Sequence, residues 1–112
     1  MTTQPNPIQP AHWSDLDPYI KPPMLRGAVV PVTIDRIEFQ ELHPRPGATE
    51  IKPVCYFVGK QKGLILTSTN QDMLRNTYGD DITASYGKTV TLTAEQIKVA
   101  GKLIDTIRIR PT

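Results

Sequence analysis

The chain has 112 residues, of which 38% are hydrophobic, 21% are charged and eleven are proline. This length accommodates a single domain, because one hydrophobic core is usually built from roughly 50–200 residues, and it excludes a polymerase palm with its fingers and thumb. The formal net charge of +2 is too small to make the whole protein a polycation, so any nucleic-acid affinity has to come from the placement of the charges.

The basic excess belongs to the second half of the chain. Residues 50–112 contain nine Lys or Arg against six Asp or Glu, and residues 1–49 contain four against five. Cys55 is the only cysteine, which excludes an internal disulfide and a thiolate metal cluster and predicts a reducing, cytoplasmic compartment. The N-terminus lacks the features of a signal peptide, and no stretch approaches the roughly 18 apolar residues of a membrane span. We therefore expect a chain that is neither exported nor embedded in a membrane.

Residues 1–23 contain six prolines among polar residues. Proline fixes φ and removes a backbone donor, so this stretch predicts an extended arm outside the sheet interior. Trp13, Tyr19 and Ile20 give the arm apolar side chains for docking on the domain or on a partner, and a disordered tail is the alternative. The predicted division is a proline-rich arm at residues 1–23 and a folded domain at residues 24–112.

The first strand is predicted in GAVVPVTIDRIEFQEL, which begins at Gly27. Apolar residues alternate as far as Ile34 and resume with opposite parity at Ile37 and Phe39. A slip of this kind at Asp35–Arg36 predicts a β-bulge, which would let one strand bend and join two sheets of a closed barrel.

The next elements are two strands and a helix. EIKPVCYFVG has apolar side chains on both faces and predicts the second strand, GKQKG predicts a hairpin turn with two lysines at its tip, and LILTS predicts a short third strand. In STNQDMLRNTYG the period changes to that of a helix of about two to three turns. Ser68, Thr69 or Asn70 is the expected N-cap, and Gly79 is the residue expected to end the helix.

The last two strands are predicted in KTVTLTAEQIKVAG and KLIDTIRIRP, joined by a tight turn at Gly101. The apolar parity of the former changes near Ala94–Glu95, which predicts a second bulge. In the latter, Leu103, Ile107 and Ile109 are expected to face the core, which would leave the alternate side chains pointing outward.

The predicted fold is therefore mainly β, with five strands and one short helix between the third and fourth. This is the element order of the OB-fold, a five-stranded Greek-key barrel. SH3-like barrels also have five strands but carry only a 3₁₀ turn at this point, so the helix favours the OB-fold.

Three stretches carry a resemblance to a known family: YIKPPMLRGAVVPVTIDRIE, KPVCYFVGKQKGLILTSTNQDMLRNTYGDD and YGKTVTLTAEQIKVAGKLIDTIRIRP. Together they resemble small phage- and prophage-encoded proteins that are similar to single-strand-binding OB domains. The resemblance implies a compact, non-catalytic protein that binds single-stranded nucleic acid, most naturally DNA, as an accessory of phage replication or recombination in the bacterial host cytoplasm. Where the family pattern has a tryptophan before the GK of the fourth strand, this chain has Tyr86, which keeps an aromatic side chain.

The tetrapeptide YGDD at residues 78–81 raises the question of catalysis, because right-hand polymerases bind magnesium with such paired aspartates. Adjacent aspartates on a strand point in different directions and need a third carboxylate, so Asp80 and Asp81 are predicted to be turn residues. His12 and His43 are expected to be surface residues, and Cys55 a small buried one. We find no catalytic constellation and expect no cofactor or metal.

The predicted nucleic-acid site is distributed over several elements. Lysines and arginines would neutralise phosphates, and aromatic side chains would stack on bases. The outward rows of the strands are equally compatible with a solvated face, and Tyr56 shares its parity with core residues. The predicted site residues are Lys52, Tyr56, Lys60, Lys62, Tyr86, Lys98, Lys102, Arg108 and Arg110.

A different class of function is also consistent with the sequence. A small barrel could join a protein assembly, or associate with itself, through its proline-rich arm. Deleting residues 1–23 would discriminate between the two hypotheses: loss of partner binding favours the interaction protein, and unchanged oligonucleotide affinity favours a binding face on the barrel. DNA versus RNA preference, partner and oligomeric state are not readable from the sequence.

Overall fold

The computed structural model describes residues 17–43 and 45–112. Its elements are β1 (Val30–Leu42), β2 (Glu50–Phe57), β3 (Leu64–Ile65), α1 (Ser68–Tyr78), β4 (Thr89–Val99) and β5 (Lys102–Pro111), with 3₁₀ turns at Pro22–Leu25 and Ile82–Ser85. The protein is mainly β, and its one α-helix in this part of the chain lies between the third and fourth strands, as predicted. Trp13 and His12 lie outside the described residues.

All five strands belong to one antiparallel sheet in the order β3-β2-β1-β4-β5. The central strand β1 has two partners, since residues 30–33 pair with β4 and the stretch from Ile34 onward pairs with β2. The pairing register shifts between Ile34 and Arg36, which confirms the predicted bulge. A bulge of this kind bends the strand and increases its twist. The sheet is not closed, because β3 and β5 form its two edges.

The core lies on the inner face of this bent sheet and is closed by one side of α1 and by the first 3₁₀ turn. The core follows from the alternation of side chains along each strand. The inward residues of β1, β4 and β5 are those that the sequence pattern predicts, apart from Phe39 of β1, which is 62% exposed, and the tip of the β4–β5 hairpin. The buried cluster consists of Leu25, Val32, Ile34, Cys55, Phe57, Leu64, Leu66, Leu74, Val90, Leu92, Ile107 and Ile109.

The N-cap of helix α1 lies one residue before the first of the predicted candidates, Ser68. Thr67 is the N-cap, and its side chain accepts a hydrogen bond from the Asn70 N–H at 3.3 Å. The side chain of Asn70 is buried and bonds instead to the backbone of β5. Gly79 ends the helix, as predicted, with φ of 107° and an N–H bond to the Arg75 carbonyl at 2.9 Å.

The β4–β5 hairpin differs from its prediction. All ten residue pairs from Val90↔Pro111 to Val99↔Lys102 keep one register, so the bulge predicted near Ala94–Glu95 is absent from this strand. The change of apolar parity has another cause: toward its tip the hairpin carries apolar side chains on its outer face. Leu103 is 69% exposed and is not a core residue, because the hairpin extends beyond the residues of β1 that pair with it.

Candidate nucleic-acid interface

The aromatic ring of Tyr56 lies on the outer face of β2, opposite Arg36 of β1. The Arg36 guanidinium stacks on the ring, with its central carbon 4.4 Å from the ring centroid. The side-chain amide of Gln40 donates a hydrogen bond to the Tyr56 hydroxyl, and the Tyr19 hydroxyl donates to Gln40 Oε1 at 2.9 Å. Three strand-borne side chains and one from the predicted arm therefore form a continuous polar row across the β1–β2 surface.

Arg36 is held in place by two carboxylates. Its Nε atom donates to Glu38 Oε2 at 2.5 Å and its Nη1 atom to Asp35 Oδ2 at 2.8 Å. The hydrogen bond from Arg36 lowers the pKa of Glu38, and the same pair raises the pKa of Arg36. An arginine guanidinium is charged at any physiological pH, and the planar face of this one covers the Tyr56 ring. The sequence reading missed this arginine, because its position depends on the β1–β2 register.

Residues 18–20 lie along Gly63, the residue before β3. The Gly63 N–H donates to the Pro18 carbonyl at 3.1 Å, and the Ile20 N–H donates to the Gly63 carbonyl at 2.8 Å, which makes an isolated parallel bridge between Tyr19 and Gly63. The last part of the predicted arm therefore docks on the domain. The predicted boundary between residues 23 and 24 falls inside the first 3₁₀ turn.

A basic groove lies beside this docked segment. It has a volume of about 680 Å³. Its apolar floor comes from the first 3₁₀ turn, β1 and β4, and its charged rim holds four cations and one carboxylate. These rim residues are Lys21, Arg26, Lys60, Lys62 and Asp17.

The β2–β3 turn supplies two of the four cations. Gly59 has φ of 75°, and the Lys60 N–H closes the turn by donating to the Phe57 carbonyl at 3.1 Å. Lys60 is exposed, whereas Lys62 is half-buried and its ammonium donates to the Asp17 carbonyl. The turn that was predicted to present two lysines thus presents both of them at the mouth of the basic groove.

The remaining predicted cations fall elsewhere. Lys52 is half-buried opposite Gln40 on the β1–β2 surface. Lys98 and Lys102 are exposed near the turn of the β4–β5 hairpin. In the strand order, β1 and β4 lie between β5 and the strand β2 that carries Tyr56. The predicted site therefore divides into a β2–β3 group and a β4–β5 group.

The two arginines of β5 lie on the face opposite the buried Ile107 and Ile109, as the alternation predicted. Arg110 Nη2 donates to both oxygens of Glu95, at 3.1 and 2.9 Å. This bond lowers the pKa of Glu95. Arg108 lies opposite Thr93 and is half-buried. Because Arg110 already has a carboxylate partner, a phosphate would have to compete with Glu95 for its guanidinium.

Tyr86 has a clear contact within the fold. Its hydroxyl accepts a hydrogen bond from the Ile37 N–H at 3.1 Å and donates to the Ile37 carbonyl at 3.3 Å. Its ring packs against the core. These bonds occupy backbone groups of β1 beyond the point where β4 stops pairing with it, so Tyr86 contributes to the bend of the sheet.

The aspartates of the YGDD stretch are turn residues, as predicted. Asp81 is the N-cap of the second 3₁₀ turn and accepts from the Thr83 N–H at 2.9 Å and the Thr83 hydroxyl at 2.7 Å. These bonds lower the pKa of Asp81. Within residues 17–43 and 45–112, no three His, Cys, Asp or Glu side chains are grouped as a metal would require.

Cys55 is fully buried in the core, and burial raises the pKa of its thiol to about 12. It is the small buried residue that the strand pattern predicted. His43 is exposed at the end of β1.

Comparisons of the chain with protein families, with curated proteins and with solved structures find no match. In the described part of the chain, no helix combines the length and the apolar character that crossing a membrane requires.

Proposed function

We propose that this chain is a non-catalytic protein that binds single-stranded nucleic acid, most naturally DNA, through the basic groove and the adjoining Tyr56 surface. The observation that carries the proposal is the basic groove itself. Four cations from two separate segments surround its opening, and the polar row that contains Tyr56 and Arg36 lies on the adjoining surface. Phosphates would lie against the cations, and bases would stack on the Arg36 guanidinium that covers Tyr56. A role in phage replication or recombination remains part of this proposal.

The strand order supports an OB-like fold as part of the same proposal. β1 pairs with both β2 and β4, and α1 follows β3 directly, which is the connectivity expected of such a barrel. The two edges of the sheet approach each other through α1, because the Asn70 side chain bonds to β5 at Ile107 and Ile109. We propose that this side chain takes the place of direct pairing between β3 and β5.

Fluorescence anisotropy with a labelled oligo-dT, repeated over a salt series, tests the binding proposal. We expect salt-sensitive binding that is weaker for double-stranded DNA of the same length. Each phosphate contact to a single strand contributes about 0.7 to the slope of log affinity against log salt. Lys60→Ala and Arg26→Ala should each reduce the magnitude of the slope by about that amount.

Lys88→Ala is the matched control, because Lys88 is an exposed lysine outside the groove. Absence of binding at low salt would overturn the proposal. Equal losses for Lys60→Ala and Lys88→Ala would also overturn it, because that result would mean that only total charge matters. Parallel titrations with oligo-U decide between DNA and RNA.

A second candidate function is that of an interaction protein that uses its N-terminal arm. The pairing of residues 18–20 with Gly63 favours it, because this pairing fixes the point on the domain from which the preceding residues start. Deletion of residues 1–16 leaves the docked segment in place. Loss of a partner or of self-association, with unchanged oligonucleotide affinity, would support the interaction role.

A further inference from the structure

The β4–β5 hairpin carries apolar side chains on both faces beyond the sheet. β4 pairs with β1 only as far as Leu92, so the outer part of the hairpin is paired only within itself. Val99 is 46% exposed and Ile104 44% on one face, and Leu103 is 69% exposed on the other. We call residues 97–104 the hairpin tip. Such a group of exposed apolar residues is typical of an interaction surface.

The hairpin tip is also basic. It includes Lys98 and Lys102, both exposed, and contains no carboxylate between residues 97 and 104. A partner for this surface should therefore combine an apolar depression with a negative rim.

A groove of this kind lies on the same chain, between the β1–β2 hairpin, α1 and the second 3₁₀ turn. It has a volume of about 230 Å³, and its apolar wall includes Phe39, 62% exposed, and Ile82, 42% exposed. We call it the acidic groove. A cavity of about 150 Å³ is enough for benzene, so this groove has room for one or two leucine-sized side chains.

The rim of the acidic groove is negative. It contains Asp72, Asp80 and Asp81 against one arginine, Arg75. Arg75 Nη2 already donates to Asp72 Oδ1 at 2.6 Å, which leaves the other two carboxylates as the net charge of the rim. A phosphate backbone would be repelled here, whereas a lysine-bearing apolar segment would be attracted.

We propose that the hairpin tip of one copy of this chain docks in the acidic groove of a second copy. Leu103 would enter the apolar depression, and Lys98 and Lys102 would approach the carboxylates of the rim. The two surfaces differ, so the contact is head-to-tail: each dimer keeps one free tip and one free groove, and assembly continues into a ring or a filament. This inference goes beyond the proposed function, because neither surface belongs to the basic groove.

Sedimentation velocity over a concentration series tests the proposal. The wild-type chain should associate as concentration rises, and added salt should weaken the association. Leu103→Asp removes the apolar side chain that the hairpin tip inserts, and Phe39→Asp places a charge on the apolar wall of the acidic groove. Both residues are largely exposed, so both variants should fold. Each variant alone should be monomeric. Their mixture should give dimers and nothing larger, because only one intact tip and one intact groove can meet.

Val29→Asp is the matched control, since Val29 is 62% exposed and lies outside both surfaces; this variant should associate like the wild type. A wild-type chain that stays monomeric throughout the series would overturn the proposal. Association that survives Phe39→Asp but not Leu103→Asp would also overturn it, because the tips would then pair with each other. A mixture of the two variants that forms no dimer would have the same consequence.

Discussion

The Oδ1 atom of Asn70 accepts a hydrogen bond from the backbone N–H of Ile109 at 3.1 Å. The Nδ2 atom of the same side chain donates to the Ile107 carbonyl at 2.8 Å. One buried amide therefore satisfies a donor and an acceptor on the edge of β5 and joins the start of α1 to that strand.

Asn70→Ala should lower the free energy of unfolding by about 2–4 kcal/mol, because it leaves both backbone groups of β5 buried and unpaired. Urea unfolding measures this change. Asn76→Ala is the matched control in the exposed part of the same helix, and its effect should stay within about 0.5 kcal/mol. Equal effects of the two substitutions would show that the link between α1 and β5 contributes nothing to stability.

Tyr86→Phe should lower the free energy of unfolding by about 1–2 kcal/mol, because the Ile37 N–H and carbonyl lose their hydroxyl partner. The ring remains, so oligonucleotide affinity should not change. Tyr78→Phe is the control, since Tyr78 also packs against the core from α1. If Tyr86→Phe leaves stability unchanged, the two hydrogen bonds to β1 are not formed in solution.

Gly63→Ala should destabilise the fold by about 1–3 kcal/mol through overpacking. A Cβ at this position would lie 2.5 Å from Val54 Cγ1 and 3.0 Å from Tyr56 Cε1. In a Val54→Ala background the nearer obstacle is gone, so the same substitution should cost less. A double-mutant cycle measured by urea unfolding gives this coupling, and additive effects would contradict the predicted contact.

The Cys55 thiol should be inert to a thiol reagent at pH 8 until the protein unfolds, because it is fully buried. Burial raises the pKa of this thiol from its ordinary value of 9.0 to about 12. The folded state then holds the proton more tightly than the unfolded state, so the contribution to stability is complete below pH 9 and is lost as the pH rises toward 12. Cys55→Val should remove this part of the alkaline loss, measured as the difference between the two unfolding curves at each pH.

Asp81→Ala should lower the urea midpoint at neutral pH, because the second 3₁₀ turn loses its N-cap. Thr83 holds the pKa of Asp81 below its ordinary value of 3.8. The contribution of this carboxylate is therefore present above that value and is lost as the pH falls through the lower folded pKa. Asp80→Ala is the control and should change little; an equal effect of both substitutions would contradict the capping role.

The bulge in β1 could be predicted from the sequence, and the register of β4 could not, although both strands show the same change of parity. After Asp35 the strand gains a new partner on its other side, and Ile37 returns to the core. After Ala94 the strand gains no third neighbour, so Ile97 and Val99 simply lie on the outer face. Parity alone does not distinguish these cases, because the difference depends on where a neighbouring strand stops.

The candidate site was also predictable only in part, because some of its residues are positioned by contacts between segments that are distant in the sequence. Lys60 and Lys62 follow from the turn chemistry of GKQKG, and Tyr56 from its place on β2. Arg36 is set by strand pairing, and Lys21 and Arg26 by the docking of the segment before β1. The N-cap of α1 could not be predicted for the same reason. The side-chain amide of Asn70, one of the predicted caps, bonds instead to β5 residues that lie 37 and 39 positions away in the chain.

The extra residue at Asp35 also limits how the length of this protein can vary among related chains. Removing that one residue would leave Arg36 on the outer face and Ile37 toward the core, but it would remove the bulge that bends β1 where its pairing changes from β4 to β2. The turn after Leu42 lies between two strand ends and can change in length without affecting this bend. In related sequences, insertions and deletions should therefore be found at residues 43–49 and be missing around residue 35.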